Sequence, residues 1–158
     1  MCIIVDANMA SIVFARPAQD DFVPLIDWLT SQKHDGRLVI GGKLSEELNR
    51  VANFGRFIQT LSRAGRARQI SSKEVEEETS RVESMNLCRS DDPHVIALAR
   101  VSGARTLCTA EVKLHADFKN QKLISNPRGR IYQTSDHKNL LRHESSCRMK
   151  MHTESKAM

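Results

Sequence analysis

Aromatic side chains are scarce in this chain: one Trp, one Tyr and five Phe, 4% of all residues. That excludes a surface on which successive bases stack, and it leaves the core to Leu, Ile, Val, Ala and Met. There is no C-x-x-C pair. Cys2, Cys88, Cys108 and Cys147 are scattered, with no zinc-type spacing to the histidines. Cys2 and Cys108 lie in apolar, strand-like runs, where a free Cys acts as a small buried hydrophobe, so the expected compartment is reducing and cytoplasmic. No apolar run approaches the roughly 20 residues of a membrane span. The opening "MCIIVDANMAS" lacks the basic n-region and the apolar length of a signal peptide. Neither G-x-x-x-x-G-K-[ST] nor G-x-G-x-x-G occurs, which removes the common nucleotide-binding readings. No helical His pair and no Ser/His/Asp set stands out, and His94, beside Asp92, reads as an exposed position.

What is present fits one domain with a real core, since 158 residues fall short of two. Apolar residues make up 40%, and 24 Lys and Arg against 19 Asp and Glu give a net charge of +5. A basic balance favours a polyanionic partner, because cations near phosphates release condensed counterions. The apolar rhythm runs to about residue 136; residues 137–158 read as a basic, flexible C-terminal tail.

Along the chain, "CIIV" (2–5) reads as a short buried strand, and Asn8 as the cap of a brief helix ending before Pro17. "DDFVPLIDWLTSQKH" has helical spacing, with Asp20 or Asp21 as its cap. "RLVIGG" (37–42) is a second strand closed by glycines. The next segment places Leu44, Leu48, Val51, Phe54, Ile58 and Leu61 on one helical face. "SSKEVEEETSRVESMNL" opens with a cap-like Ser and an acidic first turn. "DPHVIALARVSG" is a helix with Pro93 in its first turn and Gly103 as its stop. "RTLCT" supplies a third strand and "IYQ" (131–133) a fourth. Strands alternating with helices predict an α/β fold, a three-layer α/β/α sandwich around a mostly parallel sheet.

In such sheets the functional residues gather beyond the carboxyl ends of the strands. Four acids share that placement. Asp6 ends the first strand, Glu47 lies in the helix after the second, Asp92 opens the "PHVIALA" helix, and Glu111 follows "RTLCT". Carboxylates forced together repel, and a hard divalent cation relieves that repulsion. Each acid taken singly also has an ordinary reading as a helix cap, a first-turn acid or a solvated surface charge. A response-regulator or phosphatase arrangement is a further alternative, opposed by the absence of a D-x-D pair after the first strand and of a suitably placed strand-end Lys. Arg56, Arg63, Arg66 and Arg68, with Arg128 and Arg130 in "NPRGR", are the candidate phosphate contacts, against the usual reading of charge runs as solvated faces.

Taken in order, "IIVDANMAS", "KLSEELNRV" and "DDPHVIALARVSGARTLCTAEVKLHADFKN" resemble a PIN domain, the ribonuclease fold of many toxins of the VapC kind in bacterial toxin–antitoxin systems. The resemblance spans about residues 2–133. It rests on Asp6 with Asn8, on Glu47-Leu48, on Asp92 with Val95, Ala97 and Ala99, and on Thr109-Ala110-Glu111. It implies a metal-dependent endoribonuclease in which Asp6, Glu47, Asp92 and Glu111 hold Mg²⁺ or Mn²⁺ and activate water, while Thr109 orients water, metal or a neighbouring carboxylate. Asn8, Arg66, Arg68, Arg128 and Arg130 are its candidate RNA contacts. Glu111 stands where that family usually has Asp, and the longer side chain bears on metal preference because Mg²⁺ demands near-ideal octahedral geometry. Asp117 is either a reserve ligand for the metal or a helical surface acid beside Phe118. Lys113 and His115 are either phosphate contacts or exposed helix positions. The resemblance further implies an antitoxin protein as partner and a homodimer. The alternative within the same fold is a catalytically weakened RNA-binding or scaffold protein.

Overall fold

The computed structural model describes residues 2–142. Five strands form one sheet: β1 (Cys2–Val5), β2 (Arg37–Gly41), β3 (Ala67–Ile70), β4 (Thr106–Cys108) and β5 (Arg130–Ile131). Every pairing is parallel and the spatial order is β3-β2-β1-β4-β5. Helices cover both faces as an α/β/α sandwich, in agreement with the alternating pattern of the sequence. The central strands are continuous apolar runs with every residue of β1 and β4 buried, as a sheet covered on both sides requires.

The helices are α1 (Ala7–Val13), α2 (Val23–Thr30), α3 (Gly42–Leu48), α4 (Phe54–Arg63), α5 (Ser72–Met85), α6 (Pro93–Ser102) and α7 (Val112–Lys119), followed by a 3₁₀ helix over Ser135–Arg142. Among them, α6 is the most enclosed, with His94 to Ala99 all buried, and it packs on α5, β2 and β3. No helix among the described residues is long and apolar enough to cross a membrane.

Several local expectations are corrected. Asp6, not Asn8, caps α1, its Oδ1 accepting from the Ala7 N–H at 2.8 Å. Neither Asp20 nor Asp21 caps α2, whose N-cap is Phe22 and whose first turn holds Pro24. Asp21 instead ties down the chain after β5: its carbonyl accepts from the Tyr132 hydroxyl at 2.7 Å, and its carboxylate from the Ser135 N–H at 3.2 Å. The apolar face read as one helix over 44–61 is two helices. The break falls at Asn53, whose φ of 70° is the left-handed conformation that Asn tolerates better than most residues.

Strand β3 had no counterpart in the sequence reading. "ARQI" has one well-buried apolar residue, Ile70, and is a polar edge strand held by its pairing to β2. Past residue 136 the chain continues in the 3₁₀ helix, which buries Leu141 and packs on α2. The rest of the expected tail, 143–158, lies outside the described residues, as does Cys147. Cys88 and Cys108 are free thiols, whereas Cys2 is disulfide-bonded, contrary to its reading as a free buried thiol.

Candidate functional site

The strand order reverses between β1 and β4: one half of the sheet grows from β1 to β2 and β3, the other from β4 to β5. At such a switch point the connections leave in opposite directions and open a crevice beyond the strand ends. The register fixes what borders it. Val5 pairs with Cys108, so the next residues, Asp6 and Thr109, stand side by side. On the other side Ile3 pairs with Leu38, which brings Gly41, the end of β2, level with Asp6.

The hydrogen bonds follow from this register. The Asp6 N–H donates to the Cys108 carbonyl at 2.9 Å. The Thr109 hydroxyl donates to Asp6 Oδ2 at 2.8 Å and accepts from the Glu111 N–H at 3.1 Å. A hydroxyl has one proton to give, and the shorter contact identifies Asp6, not Asn8 Oδ1 at 3.4 Å, as its acceptor. Asn8 is exposed at the same edge, its carbonyl oxygen 3.5 Å from the Ala110 N–H. His115 Nε2 lies 2.7 Å from the Thr109 carbonyl and must donate, because a carbonyl only accepts.

Asp6 is 5% exposed and Thr109 2%. Burial pushes the Asp6 carboxyl above its ordinary range; the Thr109 and Ala7 donors oppose that, while the charges of Asp92 and Glu47 reinforce it. Asp92 is likewise raised, first by burial, then by Glu47 and Glu111, against the opposing charges of His94 and Lys43. The electrostatics therefore connect all four acids that the sequence singled out. Asp92 and Glu111 each occupy an N-cap position, yet neither carboxylate makes a capping bond. Their ordinary reading as caps is thus not realised. Glu47 is less free: its Oε1 lies 3.2 Å from His94 Nε2. Since a carboxylate is an acceptor, Nε2 carries the proton.

The second strand reaches this edge by close packing. Gly42 has φ +59°, and a Cβ there would sit 2.8 Å from Val75 Cγ1. The glycine pair thus sets α3, and Glu47 on it, close against α5.

Other expected site residues are elsewhere. Asp117 is 1% exposed, neither a surface acid nor part of the cluster: it accepts from the Arg89 and Ser90 N–H groups and the Ser90 hydroxyl. Arg66 is buried, and its guanidinium donates to the carbonyls of Gly36, Ser31 and Trp28. It is a structural clamp, not a phosphate contact. Arg130 pairs with the first residue of β4, so Arg128 and Arg130 lie at the amino edge of the sheet, away from the acids. Arg68 is partly buried within edge strand β3, its guanidinium lowered by burial and by Arg37. Lys113 is exposed. His94, expected at the surface, is 4% exposed.

Two residues at the site were not singled out from sequence, His94 as the partner of Glu47 and Lys43 near Asp92. Lys43 precedes Glu47 by four residues, the spacing of a helical ion pair, which was the available signal. The donor set consists of hard carboxylate oxygens with a threonine hydroxyl, and suits Mg²⁺ or Mn²⁺ better than a soft metal. As the side chains stand, no three His, Cys, Asp or Glu among the described residues are gathered closely enough to hold an ion. Compared with protein-family models, curated proteins and solved structures, the chain shows no significant match to any.

Proposed function

We propose that this protein is a divalent-metal-dependent endoribonuclease of PIN-domain type, acting as the toxin of a toxin–antitoxin pair. The observation that carries the reading is the placing of Asp6 beside Thr109 at the switch point of a parallel sheet, with Asp6 and Asp92 both raised by burial and further by neighbouring acids, Glu47 in both cases and Glu111 for Asp92. Stability alone does not favour such an arrangement, and a cation compensates it. Mg²⁺ or Mn²⁺, when bound, supplies charge neutralisation at a phosphoryl oxygen and lowers the pKa of water.

The chain's own residues have distinct tasks in this reading. Asp6 and Asp92 would be ligands, the first held by its bonds from Thr109 and Ala7, the second free of its helix. Glu47, 3.2 Å from His94 Nε2, would be a third. Glu111 completes the set from the start of α7; its longer side chain, where the family has Asp, favours the more tolerant Mn²⁺. Asn8 and Lys43, exposed at the same edge, are placed to meet the RNA backbone. An antitoxin segment carrying a basic side chain would compete for the same acids. The homodimer belongs to this proposal as an accompaniment of the fold family.

The test is cleavage of a mixed RNA pool by the purified full chain with Mg²⁺, Mn²⁺ or EDTA, alongside Asp6→Asn. Metal-dependent cutting lost in EDTA and in the variant supports the reading; folded, antitoxin-free protein that cuts with neither metal refutes it. A second reading, an RNA-binding protein with a weakened site, is favoured by one feature: among the described residues no three potential ligands are gathered at coordinating distance. It requires RNA binding that is insensitive to EDTA.

A further inference from the structure

Asp117 is 1% exposed, and among the described residues no Lys, Arg or His forms an ion pair with it. A buried carboxylate must be met by donors. Here they are the N–H of Arg89, 2.8 Å from Oδ1, and the N–H and hydroxyl of Ser90, 2.9 and 2.7 Å from Oδ2. All three belong to the loop that leads into α6. The Ser90 oxygen, its proton given to Asp117, accepts from the N–H of Asp92 at 3.3 Å. A chain of bonds thus runs from the interior of α7 through Ser90 to the backbone of Asp92.

This chain accounts for an anomaly at the start of α6. An Asp at an N-cap ordinarily folds its carboxylate back onto the helix N–H groups. Asp92 has the position, with φ −120° and ψ 53°, but makes no such bond. The residues before it are held by Asp117, and the carboxylate, unbonded to its helix, lies within the electrostatic influence of His94, Glu47, Lys43 and Glu111. Asp117 also shares α7 with Glu111 at its N-cap. One helix therefore offers its own acid to the cluster and fixes the loop that presents another.

We infer that Asp117, acting through Ser90, is a positioning residue that fixes the backbone at Asp92 and so holds its carboxylate off the α6 N-terminus and available to the acidic site. The inference rests on the proposed nuclease reading. It also explains why an acid that the sequence offered as a reserve ligand is turned away from the cluster.

The test uses the EDTA-treated full chain with Ser90→Ala, Ser90→Thr and Asp117→Asn, titrated with Mn²⁺ by calorimetry and assayed for RNA cleavage. Backbone amide exchange is read at residues 89–92. Ser90→Ala keeps both backbone bonds to Asp117 and decides the matter should Asp117→Asn fail to fold. The expected result is Mn²⁺ affinity and kcat each lowered about tenfold in Ser90→Ala, in the range found when groups behind a metal ligand are removed. KM for RNA stays within about twofold, amide exchange at Asp92 quickens, and Ser90→Thr restores wild-type values. A residue serving only stability would lower Tm and leave the Mn²⁺ affinity and kcat of the folded protein intact, and that outcome overturns the inference while sparing the nuclease reading. Wild-type protein that neither binds Mn²⁺ nor cuts RNA overturns both.

Discussion

The Asp6 carboxylate receives two hydrogen bonds and is still disfavoured as an anion, because burial and the acids around it outweigh the Thr109 and Ala7 donors. The sign of the consequence is definite. With its pKa raised on folding, the folded protein holds the extra proton between the two values, so stability falls as pH rises through that window. In EDTA, wild-type Tm is expected to decline from about pH 4 upward relative to Asp6→Asn. The variant is expected to be more stable at neutral pH by about 1 kcal/mol, with the two curves converging in acid. Thermal melts across pH test this, and equal curves at every pH would remove the repulsion argument. Arg66 gives the opposite case. Arg66→Met removes the guanidinium donor from the carbonyls of Trp28, Gly36 and Ser31, of which Ser31 keeps the His34 N–H, at about 2–4 kcal/mol in urea denaturation. RNA affinity of the folded variant should stay within about twofold of wild type.

At the scale of elements, the site is positioned by how three strands end. Gly42 is where the second ending is tightest: a left-handed φ coincides with a space that a methyl group would overfill against Val75. Gly42→Ala is expected to lose about 2–3 kcal/mol and, by pushing α3 off α5, to lower activity through Glu47. A variant as stable as wild type in denaturant would show that the close approach is not needed. β1, β2 and β4 announce themselves as unbroken apolar runs because both their faces are covered. Asp6, Glu47, Asp92 and Glu111 could be picked out because they follow such runs or open helices. β5 was legible as "IYQ", one residue late, but β3 could not be read the same way: an edge strand such as "ARQI" derives its structure from pairing, a non-local interaction that leaves no periodic mark. Burial of polar groups was equally hidden. Asp117, Arg66 and His94 look like surface residues by type and are interior by virtue of partners 27, 30 and 47 positions away.

Over the whole molecule, an all-parallel sheet gives the protein two unlike ends. The carboxyl edge collects the acids. The amino edge carries Arg128 and Arg130, with Arg66 clamped before β3. The net positive charge therefore does not mark the site: of the arginines expected from sequence to meet phosphate, Arg128 and Arg130 lie at the opposite edge from the acids, Arg66 is buried, and Arg68 is partly buried within β3. The double variant Arg128→Gln/Arg130→Gln should keep cleavage within about threefold of wild type, whereas Asp92→Asn should abolish it; a collapse of activity in the double variant would restore those arginines as contacts. The polarity also determines what a cation does to the folded state. Burial and the neighbouring acids raise the Asp6 and Asp92 carboxyls, so their ionisation opposes folding at neutral pH. On the proposed reading, a bound divalent ion would relieve that cost and add binding energy available only to the native chain, about 2.7 kcal/mol at one hundred times Kd. For a chain of this length that amounts to a rise in Tm of roughly 5–10 °C. Mn²⁺ should also flatten the decline of Tm with pH seen in EDTA, since the charge that caused it is neutralised. Asp6→Asn and Asp92→Asn should each gain stability without metal and lose most of the Mn²⁺-dependent rise. Thermal melts of the three proteins with and without Mn²⁺ measure both effects, and an unchanged wild-type Tm at millimolar Mn²⁺ would leave the repulsion without the ion proposed to relieve it.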